Sequence, residues 1–212
     1  MIIPTLIETI RLRNGVAPLW YLHLRRLSES CRSLGVPFPL QMEVPAGRPD
    51  RVRRLEVGPR GMSVTERHLE QTEGVRLATV ASVHSPYPHK TTQRGAFDRA
   101  REEAARAGAN DGLMLTAAGQ VAECGIWSLL WWEGDRVAGP PLRLGVLRSV
   151  SRLRIEELQG PIVEQTLPRQ QLEGRSLFVA NAVRGVVPVL ELDGQPLPES
   201  RHMAPLAARF WP

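Results

Sequence analysis

Apolar residues come in short runs along this chain, and that most limits the folds open to it. The longest strongly apolar run, Ile126 to Trp132, is far too short to span a bilayer. Most of the others have strand length and close on turn residues. Leu6 to Leu12 alternates in strand fashion and runs into Asn14-Gly15, a hairpin signal. Arg53 to Val57 and Met62 to Arg67 predict a hairpin about Pro59 to Gly61, and Val75 to Val83 predicts a buried strand. Gly112 to Thr116 and Gln120 to Cys124 predict two strands joined at Ala117 to Gly119, with Val121 and Glu123 on one face by alternation. Ser128 to Trp132, Leu177 to Ala180 and Val186 to Leu192 complete the set, the last closed by Asp193-Gly194.

Helical spacing is rarer. Leu24, Leu27, Cys31 and Leu34 mark an amphipathic helix that stops at Gly35. Arg25 points away from its apolar stripe; Arg26 sits at the margin, where a cation can reach a cleft. Arg94 to Ala107 carries Phe97, Ala100 and Ala104 on one side and stops at Gly108, and Leu147 to Leu158 starts with the hydroxyls of Ser149 and Ser151. Strands do not alternate with helices as in a doubly wound sheet, so the expected class is α+β. Val36 to Pro49 reads as loop. A boundary near Gly74 would divide a small α/β unit, residues 1–73, from a larger one, residues 74–212. Trp127, Trp131 and Trp132 fit a core or an interface equally.

Composition removes several functions. The two cysteines, Cys31 and Cys124, lack metal-ligand spacing and predict no disulfide, and the five histidines, His84 and His89 included, do not share a helical face. Met1 to Glu8 carries no basic residue ahead of its apolar stretch, so no signal peptide is expected and the cytoplasm is the default. Net charge is +5, with Arg48, Arg51, Arg53, Arg54 and Arg60 clustered. Asp50 and Glu56 interleave there and no aromatic residue offers a stacking surface, so a solvated strand face is preferred to a nucleic-acid footprint.

One feature of composition is chemical. Of 27 basic residues, every one but Lys90 is arginine. Arginine replaces lysine as a surface charge, but a guanidinium cannot serve as an amine nucleophile. A lysine in an apolar or cationic pocket can lose its proton and condense with a carbonyl. Lys90 is the candidate nucleophile.

Six stretches stand in order along the chain: Leu6-Ile7-Glu8-Thr9-Ile10-Arg11, His23-Leu24-Arg25-Arg26-Leu27, His89-Lys90-Thr91-Thr92-Gln93-Arg94, Gly119-Gln120-Val121-Ala122-Glu123-Cys124, Gly145 to Arg152, and Asn181 to Val189. Together they resemble the class IV aminotransferases, a family that includes branched-chain and D-amino-acid aminotransferases and 4-amino-4-deoxychorismate lyases. The resemblance implies a two-domain fold-type IV enzyme with a barrel-like larger sheet, dependent on pyridoxal 5′-phosphate (PLP). Lys90 would bond to the cofactor and afterwards carry protons at the reacting carbon. Glu123 would face the pyridine nitrogen. Arg26, Val150, Ser151, Asn181 and Ala182 would hold the phosphate, the middle pair at a helix start where free N–H groups favour an anion. A C2 homodimer is implied as well. Cys124-Gly125 and Ser128 stand where the family usually has Ser or Thr, and Asn.

His89-Lys90-Thr91-Thr92, Glu123-Cys124 and Asn181-Ala182 look most like the lyase branch. That branch would release pyruvate from 4-amino-4-deoxychorismate to give 4-aminobenzoate for folate synthesis. Arg11, Arg94 and Arg184 are the candidate partners for an anionic amino substrate. The alternatives are a class IV aminotransferase of branched-chain or D-amino-acid type and a non-catalytic relative; neither a nucleic acid nor a membrane is an expected partner.

Overall fold

The computed structural model describes residues 4–40 and 42–212. Residues 1–3, in the stretch read above for a signal peptide, and Gln41, in the predicted loop, lie outside the described residues.

Strands β1 (Leu6–Leu12), β2 (Arg51–Gly58) and β3 (Gly61–His68) form an antiparallel sheet in that order. Helix α1 (Trp20–Leu34) covers one face and ends at Gly35, whose left-handed backbone (φ 65°) stops the helix. Alternation along β1 turns Leu6, Ile10 and Leu12 towards α1, where they pack with Leu27, Cys31, Trp20 and Leu24. Glu8 shares that face and is buried with them. The expected turn after β1 is present, with positive φ at Asn14 and Gly15 and a bridge from Arg13 to Val16.

The remaining strands are β4 (Val75–Thr79), β5 (Asp111–Leu115), β6 (Val121–Cys124), β7 (Ser128–Glu133), β8 (Arg136–Gly139), β9 (Val163–Glu164), β10 (Leu177–Asn181), β11 (Gly185–Leu192) and β12 (Gln195–Pro196). They form a nine-stranded mixed sheet ordered β6-β5-β4-β11-β10-β7-β8-β9, with β12 beside β11, curled into a half barrel. Both faces are buried. Leu129, Trp131, Val179 and Val187 fill the inside of the curl. Leu130, Trp132, Phe178 and Ala180 face outwards against α3 (Val150–Gln159) and α4 (Met203–Phe210), joined by Leu19 and Leu22 from the start of α1. Burial on two faces explains why these strands read as continuous apolar runs. It also places Trp127, Trp131 and Trp132 in the core. Helix α2 (Gly95–Arg106) lies on β5 through Phe97, Ala100 and Met114.

Two expectations change. The strand expected over Val75 to Val83 ends at Thr79, because the Glu103 carboxylate of α2 takes the N–H groups of Ala81 and Ser82 at 2.7 and 3.1 Å and draws the chain off the sheet. Strands β8, β9 and β12 and helix α4 had no counterpart in the sequence reading.

Candidate active site

Lys90 sits on the seam between the two sheets. Its carbonyl accepts the Ile7 N–H of β1 at 2.8 Å, and the Thr92 N–H reaches the Thr5 carbonyl at 2.9 Å. The Tyr87 hydroxyl brackets it, donating to the Thr91 carbonyl at 2.5 Å and accepting the Thr91 N–H at 2.6 Å. His89 ties the same segment to Ser30 of α1 at 3.1 Å. A backbone pinned at so many points aims the side chain into a cleft of about 440 Å³, where it is partly exposed. Burial, with Arg94 and Arg26 nearby, pulls the Lys90 amine down to about 7, although Glu8 opposes this. Near neutral pH much of it is a free base.

Glu123 lines the same cleft from β6, buried, and weakly accepts the Leu147 N–H at 3.3 and 3.4 Å. Burial outweighs its favourable neighbours and raises its carboxyl to about 8. Val121 and Glu123 do not share a face. The β5–β6 register shifts so that Met114 opposes Glu123 and Leu115 opposes Val121, leaving Ala122 as an extra residue. That bulge sends Val121 into the core of the half barrel and turns Glu123 out to the cleft.

A group of donors collects at the start of α3. Ser149 caps the helix by accepting the Arg152 N–H at 3.0 Å, and the N–H groups of Val150 and Ser151 have no partner among the described residues. Ser151 donates its hydroxyl proton to the Ala180 carbonyl at 3.1 Å, so it accepts from Ser149 at 2.9 Å, which accepts from Ser128 at 2.7 Å. Ser128, at the position where the family usually has Asn, therefore starts an ordered row of hydroxyls. Asn181 shapes the facing turn, its Oδ1 accepting the N–H groups of Val183 and Arg184 at 3.0 and 2.8 Å, with Ala182 exposed to the cleft between them. Arg26 reaches the cleft from α1.

The arginines sort differently from expectation. Arg94 lies over Phe97 at 4.9 Å and donates to the Gly125 carbonyl at 2.5 Å; Arg184 donates to Glu70 at 3.2 Å and lies over Trp127 at 5.8 Å. Both line the cleft. Arg11 does not. It shares a strand face with Thr9, which does, but two residues of extended chain carry it roughly 7 Å further on. There it pairs with Asp50 at 3.6 Å and lies over Trp211 at 4.9 Å. The cleft instead gains Arg54 of β2, Arg67 of β3 and Arg101 of α2. Among the described residues Arg67, Arg94 and Arg101 enter no salt bridge. Two further residues escaped the sequence reading: Glu8 and His23, on the buried side of Arg26. An acid on the apolar face of an alternating strand was the available signal.

The donor set fits PLP: one free-base amine, a buried acid across the cleft, and unpartnered N–H groups beside a hydroxyl row and an arginine. A family model for amino-transferase class IV matches residues 62–192, well over half of the chain. The chain belongs to that family. The matched stretch of this class IV protein contains Lys90, Glu123, Ser151 and Asn181, while Glu8, His23 and Arg26 precede it.

Solved structures agree in fold. A putative 4-amino-4-deoxychorismate lyase from Legionella pneumophila is similar at TM-score 0.81 and 22% identity, over 95% of this chain and 88% of its own. A branched-chain aminotransferase from Thermoproteus uzoniensis is similar at TM-score 0.86 and 20% identity, over 98% and 84%. An aminotransferase from Brucella abortus, bound to PLP, is similar at 0.79 and 19%, over 96% and 86%. No protein of curated function matches the chain. The α+β class and the fold-type IV architecture hold.

Proposed function

We propose that this chain binds PLP through Lys90 and acts as a 4-amino-4-deoxychorismate lyase, releasing pyruvate to leave 4-aminobenzoate for folate synthesis in the cytoplasm. The observation that carries the reading is a lone lysine, held near 7, sharing one cleft with a buried acid and a nest of free N–H groups. When bound, the cofactor supplies an aldehyde for amines and a ring that withdraws electrons from the neighbouring carbon.

The chain's own residues do the rest. Lys90, free base for much of the time at neutral pH, can attack a carbonyl without a helper, and afterwards hold a proton at the reacting carbon. Glu123, as carboxylate, would face the ring nitrogen and favour its protonated form. Arg26 and the N–H groups of Val150, Ser151 and Ala182 would hold the phosphate, with the hydroxyl row of Ser128, Ser149 and Ser151 fixing the turn beneath them; Asn181 keeps the second turn in shape. Arg67, Arg94 and Arg101, without carboxylate partners of their own, orient the anionic groups of the substrate, with Arg184 beside them. Tyr87, Phe97 and Trp127 exclude water from one wall. The lyase is favoured by His89-Lys90-Thr91-Thr92 and by this surplus of unpaired cations, which suits a substrate with more than one carboxylate.

Purified protein incubated with PLP and 4-amino-4-deoxychorismate should release 4-aminobenzoate and pyruvate together. Consumption of an amino donor and a keto acid, without 4-aminobenzoate, would instead make it an aminotransferase, and failure to take up PLP would make it a non-catalytic relative. The reading includes a two-fold homodimer, supported by the edge strand β3, where Met62 and Val64 stand exposed; light scattering tests it.

A further inference from the structure

His84 lies outside the cleft, on the far side of Glu123. It is buried, its ring stands edge-on to Phe97, and its Nδ1 is 3.6 Å from Glu123 Oε1. The other nitrogen, Nε2, lies 3.2 Å from the Leu144 carbonyl. A carbonyl can only accept, so Nε2 carries the ring proton. The neutral ring then presents a bare lone pair at Nδ1, a buried atom with no hydrogen-bond partner among the described residues. A lone pair facing a carboxylate is repulsive; one proton between them turns the contact into a hydrogen bond.

The other groups around Glu123 pull the opposite way. Lys90, Arg94, Arg152 and the Leu147 N–H all favour its charged form. His84 is the neighbour that offers the proton a second seat on the side away from the cleft, where Lys90 stands. Burial disfavours the charged imidazole, although the Leu144 carbonyl opposes this.

We propose that His84 is a positioning residue for Glu123, and that the two share one proton. With the pair alone, that proton lies on Glu123 and points at Nδ1. When a protonated ring nitrogen occupies the cleft, it passes to His84, and Glu123 meets the ring as an anion braced from behind by the imidazolium N–H. No proton leaves the protein in the exchange.

This rests on the cofactor reading above, so the test separates the two. In cofactor-free protein, ¹⁵N NMR of the imidazoles and ¹³C-labelled glutamate should show His84 protonated at Nε2. Nδ1 and the Glu123 carboxyl carbon should then titrate in one common step. His84→Gln can keep the Leu144 contact but puts nothing at the Nδ1 place. The Glu123 step should fall there by about one pH unit, because the remaining acid binds its proton alone, and PLP should bind about tenfold more weakly. His84→Asn, whose amide falls near the Nδ1 place, should recover most of that affinity while losing the common step. An Nδ1–H tautomer in the wild type, or a Glu123 step unmoved in His84→Gln, overturns the proposal. Should that variant not fold, the wild-type tautomer and common step decide. A wild type that binds no PLP sinks the cofactor reading, while the cofactor-free titration still decides whether the proton is shared.

Discussion

Arg26 donates two hydrogen bonds to Glu8, from Nε at 3.0 Å and Nη2 at 2.5 Å, and both side chains are buried. His23 approaches Glu8 Oε2 through Nδ1 at 2.5 Å; since an ionised carboxylate only accepts, that nitrogen carries a proton. The pair fixes the guanidinium at the edge of the cleft.

Replacing Glu8 by Gln leaves a buried guanidinium without its counter-charge. We expect a loss of about 3 kcal/mol in urea unfolding at pH 7. Burial alone would raise the Glu8 carboxyl, but Arg26 and His23 prevail and hold it at about 2, against an ordinary 4.5. Its contribution is therefore complete above pH 4.5 and fades as pH falls towards 2. The gap between wild type and Glu8→Gln should close over that window, and a gap that stays constant would contradict the assignment.

Glu123 predicts the opposite sign. Its carboxyl lies at about 8 in the folded chain, so its favourable contribution is complete below pH 4.5 and is lost as pH rises through 8. In cofactor-free protein Glu123→Gln should match the wild type near pH 4.5 and exceed it by roughly 4–5 kcal/mol at pH 9. Its cofactor uptake should fall. Parallel urea titrations at the two pH values are the measurement.

Gly125 carries the carbonyl that receives Arg94. A methyl group there would run into the Asp111 carboxylate and the Arg101 side chain. Asp111 cannot retreat, because it is buried and accepts the N–H groups of Gly112 and Ile126, both at 2.9 Å. Gly125→Ala should cost about 2 kcal/mol and lower the melting temperature. A melting temperature equal to that of the wild type would show that the turn gives way easily.

Arg67→Gln and Arg101→Gln should each raise KM for an anionic substrate about tenfold, the loss of one charge-assisted hydrogen bond. PLP uptake should be unchanged. Arg11→Gln should leave KM alone and cost about 1 kcal/mol, since it removes one long ion pair to the exposed Asp50 and one aromatic contact. Steady-state kinetics on the three variants separates cleft from surface. Equal effects at Arg11 and Arg101 would refute the sorting.

Lys90 was legible because a composition so skewed towards arginine isolates it, and Gly35, Gly108 and Asn14-Gly15 were legible because turns and helix ends need special backbone angles. The bulge at Ala122 was not, because it depends on how β6 registers against β5, which no local pattern encodes. Nor was the early end of β4, which follows from a carboxylate more than twenty residues away. Helix α4 escaped because Pro205 and a preceding Pro- and Ser-containing stretch mask the spacing of Met203, Leu206 and Phe210. Arg11 misled for a related reason: its motif fixes a strand face, but not how far along that face the cleft extends.

The short bond from Ile7 to the Lys90 carbonyl has a practical outcome. Fraying of β1 would release the Lys90 backbone while the half barrel stays packed, so heat or mild denaturant should abolish the proposed activity before the half barrel melts, with Trp20, packed on β1, reporting the early step. Chemistry would then be the earliest casualty of stress, and refastening a single strand would be enough to bring it back.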